Sequence, residues 1–484
     1  MSPMGRPEGE YRSAQHEGTP VGAKGRPERE GTPAGAIARP PVSGERRIAV
    51  GELTRVEGEG SLRLTVRDGK VVEARLGIFE APRYFERLVV GRTPDEVIDI
   101  VARICGICPV AYQMSAVHAF EDCFGVRVDP AVRALRRLMY CGEWIESLGL
   151  HVYMLHAPDF LGYESAIAMA RDHRQTVERG LALKKSGNDL IKVLGGRAIH
   201  PVSVRVGGFY RLPRRAELDA MRPALEHALE HAKATVRWTT GFAMPSFRRD
   251  MRFVAMKHPR EYPFNDGRIV SNDGLDLPLT DWTQAFEEFQ VEGSNALHAR
   301  SKDGNGPYLL GPAARVTLCA DQLHPVARAL LEETGMQEMI RTNIYASIVA
   351  RAVELVHATA EALDIIAAYR PPAAPMVPWQ PRAGVAAWAT EAPRGLCFHR
   401  YETDDAGRVV RCQIVPPTSQ NQAAIEADLV HAAGDALQLP DAEATLRLEQ
   451  MIRSYDPCIS CATHFLDLSI EYDGEGPATG GRAS

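Results

Sequence analysis

No apolar run in this 484-residue chain approaches the ~18 residues that a bilayer-crossing helix needs, which excludes a conventional membrane span. No apolar export core follows Arg46-Arg47, because Ile-Ala-Val-Gly-Glu is too polar to act as one. A cytoplasmic setting is therefore expected. Charge of one sign is also missing: the formal net charge is only −6, so neither nucleic acid nor an anionic membrane surface is indicated as a partner. No G-x-G-x-x-G follows a strand pattern, which argues against a dinucleotide bound to this chain itself. Cysteine is sparse and odd in number, nine in all, which argues against a complete disulfide framework. Five of the nine stand alone (Cys123, Cys141, Cys319, Cys397 and Cys412) and read as small buried hydrophobes.

What is present suffices for a large core, since 45% of the residues are hydrophobic. Residues 1–46 are rich in Gly, Pro, Glu and Arg and echo Glu17-Gly18-Thr19-Pro20 as Glu30-Gly31-Thr32-Pro33, the composition of a disordered tail. From Arg47 the pattern turns to strand. Ser61 to Val66 alternates, Asp68-Gly69 signals a hairpin, and Val71 to Ile78 returns. Thr93-Pro94-Asp95-Glu96 and Asp129-Pro130 each predict a helix start. Further helices fit 163–194, 214–239 and 321–369, the last over enough turns to be several. After Pro371-Pro372, short strands at 395–399 and 409–415 precede helices at 423–436 and 442–453. Helices in the middle with mixed elements at both ends predict an α+β unit over 47–464, closed by its own termini.

Two C-x-x-C pairs lie near opposite ends of that unit: Cys105-Gly106-Ile107-Cys108 and Cys458-Ile459-Ser460-Cys461. Folding that unites them would build one four-sulfur site. Thiolates are soft donors, which exclude magnesium and calcium and favour zinc, iron–sulfur, copper(I) or another soft transition metal. Structural zinc usually stabilises a short local module that lacks a core. This chain has ample core and distant pairs, so both a structural zinc site and a catalytic or electron-transfer metal stay open on spacing alone.

The flanking residues are more specific. Arg103-Ile104-Cys105-Gly106-Ile107-Cys108-Pro109 and Asp456-Pro457-Cys458-Ile459-Ser460-Cys461-Ala462-Thr463-His464 together resemble the two signature motifs of nickel-dependent hydrogenase large subunits. Thr54-Arg55-Val56-Glu57-Gly58, Arg83-Tyr84-Phe85-Glu86, Gly195-Gly196-Arg197, His200-Pro201, Gly207-Gly208, Ala392-Pro393-Arg394-Gly395 and Pro417-Thr418-Ser419 match further landmarks of that family. The likeness spans residues 47 to 464 and is nearest in flavour to cytoplasmic, NAD(P)-coupled bidirectional forms. The related quinone-reductase subunits of respiratory complexes lack the four cysteines.

The resemblance implies a nickel–iron centre, with cyanide and carbon monoxide on the iron. Cys105 and Cys458 would be terminal ligands to nickel, and Cys108 and Cys461 bridging ones. The implied reaction is reversible heterolytic cleavage of dihydrogen. Glu57 would take the proton from Cys458, a task suited to a carboxylate whose pKa is raised. Arg394 would face the open side of the metals, where a fixed guanidinium can polarise and donate. Thr418, with Ser419 as the alternative, would donate to a cyanide. Arg103 and Tyr112 would surround the ligands. Glu86 and His464 would hold a separate magnesium.

One position departs from the family. A histidine commonly stands four residues after the second cysteine, where this chain has Tyr112, and a phenol titrating near 10 cannot switch at neutral pH as imidazole can. His118 is not expected to substitute for it. The resemblance further implies a maturation protease that cuts after His464 once nickel-insertion factors have acted, with a permanent strand over 466–471 as the competing expectation. The implied partners are an iron–sulfur small subunit and flavin/NAD(P)-reducing subunits, because no further cysteine cluster here could carry electrons away. Competing readings are sulfur or polysulfide reduction by the same complex, as in a sulfhydrogenase, and a zinc–thiolate scaffold without turnover.

Overall fold

Alternation in the first strands sorts side chains by face: Leu62, Leu64 and Val66 are buried while Arg63 and Arg67 face solvent. These residues belong to β2 (Gly60–Arg67) of a computed structural model that describes residues 45–473 except 51–52, 59, 68–69, 79–82, 292–295, 437 and 459–467. β1 (Glu45–Val50) begins inside the expected tail, of which the rest lies outside the described residues. β2 forms the foreseen hairpin with β3 (Lys70–Ile78). The described residues fall in one unit, Val42–Ser484.

The helical middle follows. α1 (Pro94–Val101) starts at Thr93, whose backbone N–H and hydroxyl both donate to Glu96 Oε2, at 2.8 and 2.9 Å. α2 (Pro109–Phe124) leads to α3 (Pro130–Leu150), where Asp129 caps the Ala131 N–H at 2.7 Å. A single π-helical turn, His151–His156, continues α3. α4 (Arg174–Gly195) packs along α3, and α5 (Arg222–Thr240) and α6 (Ser347–Ala368) complete the bundle. α2, α3 and α6 are buried on most of their circumference, as helices inside a large core must be.

β4 (Gly384–Ala392), β5 (Gly395–Thr403) and β6 (Val409–Val415) form an antiparallel meander against α2. α7 (Pro417–Ala436) and α8 (Asp441–Tyr455) come next, and α7 lies on β3, where Glu426 accepts the Leu76 N–H at 2.9 Å. β7 (Leu468–Asp473) returns antiparallel to β1, so the first sheet runs β7-β1-β2-β3. The α+β class and the helical core flanked by mixed ends agree with expectation.

Several boundaries differ for local reasons. The 163–194 helix is confined to α4 because Ser165 caps a four-residue helix, Ala166–Met169, and the chain turns again before Arg174. The 214–239 helix splits at Ala220–Met221, since Pro223 fits only a first helical turn. The 321–369 stretch is several helices, as its length allowed, with a break at Gly335, which adopts φ +64° after Pro325–Thr334. Small sheets over Val254–Pro278 and Phe286–Ser301 escaped the sequence pattern.

Candidate metal centre

Cys105 and Cys108 occupy the turn between α1 and α2, with Cys108 at the N-cap of α2 and Pro109 in its first turn. The backbone N–H groups of Ile107 and Cys108 both point at Cys105 Sγ, each 3.3 Å away. Cys458 arrives from the other flank. α8 ends at Asp456 in the left-handed region (φ +55°), and Pro457 prevents its continuation. Cys105 Sγ and Cys458 Sγ stand 3.4 Å apart although 353 positions separate them. The sulfurs of Cys105, Cys108 and Cys458 lie within 4.8 Å of one another. Metal–sulfur bonds of about 2.3 Å to a common ion need sulfur separations of this order. The donor set therefore fits a thiophilic transition-metal centre. Cys461 lies outside the described residues.

Glu57 reaches this cluster through a tight turn, with Arg55 at φ +56° and Gly58 at φ +94°. Glu57 is buried and bridges to Cys458 through the backbone. Its carboxylate contacts Cys458 Sγ and lies 3.3 Å from Cys105 Sγ. Burial, followed by the negative charge of Cys105, pushes its pKa up to about 7. Cys105 itself is held well below the usual thiol value, first by the hydrogen bond from Cys108.

Arg394 sits in the β4–β5 turn and is buried. Its Nε donates to Asp456 O at 2.9 Å, one terminal nitrogen to Asp456 Oδ1 at 3.0 Å and the other to Ser147 Oγ at 3.4 Å. Glu57 Oε2 is 3.9 Å from the guanidinium. Gly395 makes that turn possible: it has φ +128°, and a Cβ there would meet Leu310 Cβ at 2.5 Å. Thr418 accepts the Cys458 N–H at 3.1 Å, and Ser419 beside it is buried.

The remaining expected positions are spread more widely. Tyr112 is buried, with its ring centroid 5.6 Å from that of His399, and burial raises its phenol pKa far above the ordinary value. His118 faces away, 3.2 Å from Asn265 and stacked on Trp388. Arg103 is exposed and pairs with Asp99 at 2.9 Å, so its side chain is not brought to the sulfurs. Glu86 accepts the Ile414 N–H at 2.7 Å. His464 lies outside the described residues.

Three neighbours escaped the sequence reading: Asp456, Glu143 and His399. Asp456 stands inside the second motif. Glu143 carried no clear signal, because Glu146 and Ser147 at i+3 and i+4 make its helix face polar in sequence. His399, which accepts or donates at 2.7 Å to Tyr401 OH, carried no signal, because only the meander brings it toward Tyr112.

Comparisons with known proteins bear on this geometry. A family model described as nickel-dependent hydrogenase matches residues 83–180 and 310–464. Sulfhydrogenase 1 subunit alpha of Pyrococcus furiosus is 32% identical over 427 residues, covering 87% of this chain and 98% of the relative. The NAD-reducing hydrogenase HoxS subunit beta of Cupriavidus necator is 26% identical over 474 residues, covering 87% and 95%. The crystal structure of an NAD+-reducing NiFe-hydrogenase in the H2-reduced state superposes with a TM-score of 0.78 at 26% identity, covering 87% of this chain and 99% of that one.

Proposed function

The chain belongs to the nickel-dependent hydrogenase family, as a large subunit, and from that premise we propose that Cys105, Cys108, Cys458 and Cys461 hold a nickel–iron centre at which dihydrogen is reversibly cleaved. The observation that carries this reading is the meeting of Cys105 and Cys458 beside a buried carboxylate. When bound, such a centre supplies the redox and Lewis-acid chemistry that takes dihydrogen to two protons and two electrons. The protein's share is to hold donors, move protons and exclude water.

Glu57 is the proton acceptor in this proposal. Its carboxylate touches Cys458 Sγ, and a pKa near 7 lets it accept and release a proton at neutral pH. Arg394 is anchored by Asp456 at a fixed angle, so its charge is offered without reorganisation. Thr418 fixes the Cys458 backbone, which leaves its own O–H proton able to donate to a diatomic ligand on iron, with Ser419 alongside. The cyanide and carbon monoxide ligands and a magnesium between Glu86 and His464 belong to the same proposal.

An iron–sulfur small subunit is the partner that the multi-subunit relatives support. Transfer onward to NAD(P) in the cytoplasm is supported by the likeness to NAD-reducing hydrogenases, and no helix among the described residues is long and apolar enough to cross a membrane. The catalytic unit is assigned to 47–464 and the removable extension to 465–484. Cleavage after His464 would separate β7 from the rest of the chain. Intact mass of the active protein tests that cut; full activity with the full-length C-terminus refutes it.

Metal analysis of the copurified complex tests the reading as a whole. Nickel and iron near one each, with infrared bands from cyanide and carbon monoxide, support it; zinc alone supports the scaffold. Sulfur or polysulfide reduction is a second reading, favoured by the likeness to Sulfhydrogenase 1 subunit alpha. Parallel assays with NAD(P) and polysulfide separate the two.

A further inference from the structure

Glu143 lies in the middle of α3, fully buried, as are Tyr140, Trp144 and Ile145 of the same helix. Its carboxylate leaves its own helix and accepts the backbone N–H groups of Val110 at 2.6 Å and Ala111 at 3.2 Å. These belong to the first turn of α2, where a helix has donors with no intrahelical partner. The residue that ordinarily closes such a turn is the N-cap. Here the N-cap is Cys108, whose side chain makes no capping bond, and Pro109 has no N–H to offer. The start of the helix that carries Cys108 is therefore closed from outside by a carboxylate on a different helix. That leaves the Cys108 sulfur uncommitted to capping and grouped with Cys105 and Cys458.

The arrangement is a costly way to fill the core. Burial drives the Glu143 pKa well above the ordinary carboxylate value, the Val110 N–H draws it back, and the charge of Cys105 raises it again. A leucine would occupy similar space without this desolvation. A polar group kept at such cost is best explained by what it orients.

We propose that Glu143 is a positioning residue for the metal centre: by clamping the first turn of α2 from α3, it fixes the direction in which Cys105 and Cys108 present their sulfurs. This rests on the reading that those cysteines hold nickel and iron, and adds which residue outside the ligand set determines their aim. No hydrogen bond joins Glu143 to a sulfur among the described residues, so its effect passes through the α2 backbone.

The test uses the copurified complex with Glu143→Gln and Glu143→Asp. Glutamine keeps the volume and one acceptor but turns an N–H2 toward the second donor; aspartate keeps the carboxyl group but is too short to span both N–H groups. Three quantities are read: nickel retained under EDTA challenge, the infrared bands of the diatomic ligands on iron, and the thermal midpoint. Altered outer-shell partners typically weaken metal affinity about 10–100-fold. Nickel release should quicken by about tenfold or more in both variants, with shifted infrared bands, at temperatures where both remain folded. A folded variant with wild-type nickel retention and unshifted bands overturns the proposal. Global unfolding of both variants also overturns it, because Glu143 would then be a stability element. A wild-type complex without nickel overturns the metal reading itself, which this experiment registers separately in its control.

Discussion

Glu57 owes its chemistry to its surroundings. A glutamate in water is ionised at neutral pH, but burial beside Cys105 brings this one to a pKa of about 7. Glu57→Gln, which keeps shape but cannot carry the proton, should lower dihydrogen oxidation and hydrogen–deuterium exchange by about 10²–10⁴-fold, with nickel content unchanged. Gas-exchange mass spectrometry with metal analysis checks this; near-normal exchange would remove Glu57 from the path. Buried histidines give a separate pH signature. Burial lowers His298 to about 4 and His399 to about 3. The unfolded chain takes up their protons near 6.5, so it binds more protons than the folded one across that interval, and stability falls as pH drops from about 6.5 toward 4 and 3. Glu426 acts with the opposite sign. Its folded pKa of about 7 exceeds the unfolded value, so its contribution is present at low pH and is lost as pH rises from about 4.5 through 7. Denaturant melts between pH 4 and 8 should show a steeper acid loss in Glu426→Gln, which removes the opposing contribution, and a shallower one in His298→Gln.

At the scale of elements, the contact of α3 with α4 depends on absent side chains. A Cβ on Gly187 would stand 2.5 Å from Gly142 O and 2.6 Å from Glu146 N, both backbone atoms that cannot yield without moving α3. Gly187→Ala should therefore cost about 1–3 kcal/mol of stability in a chemical-unfolding titration. Because α3 also carries Glu143, the same variant should hold nickel less well. Thr93→Ala, which removes the hydroxyl's bond to Glu96 at the exposed start of α1, should cost only about 1 kcal/mol. The Thr93 and Asp129 helix starts were legible because capping is a short-range bargain among neighbours in sequence. That 321–369 holds several helices was anticipated from its length, but the place of the break, Gly335, was not. Nor were the small strands between 254 and 301, whose partners are chosen by the sheet rather than by their own pattern.

For the whole molecule, the sulfur cluster links the two flanks of the chain, with the α1–α2 turn supplying Cys105 and Cys108 and the segment after α8 supplying Cys458. Removing the metal should lower the thermal midpoint, because a group that binds only the folded chain stabilises it by mass action. Cys458→Ser should have a low midpoint already and respond little to chelator; an unchanged difference between loaded and metal-free forms would deny that Cys458 is a ligand.

The residue types and spacing of the two cysteine pairs, Glu57 in its turn, Arg394 before Gly395 and the capped helix starts were all fixed by the order of amino acids alone. They are short-range patterns, in which residue type and local conformation are set by a few adjacent residues. That Cys105 meets Cys458, that Glu143 closes a helix other than its own and that His399 stands by Tyr112 depended on packing. Those pairings join positions far apart in the chain, and only burial of α2, α3 and α6 in one core brings their side chains together.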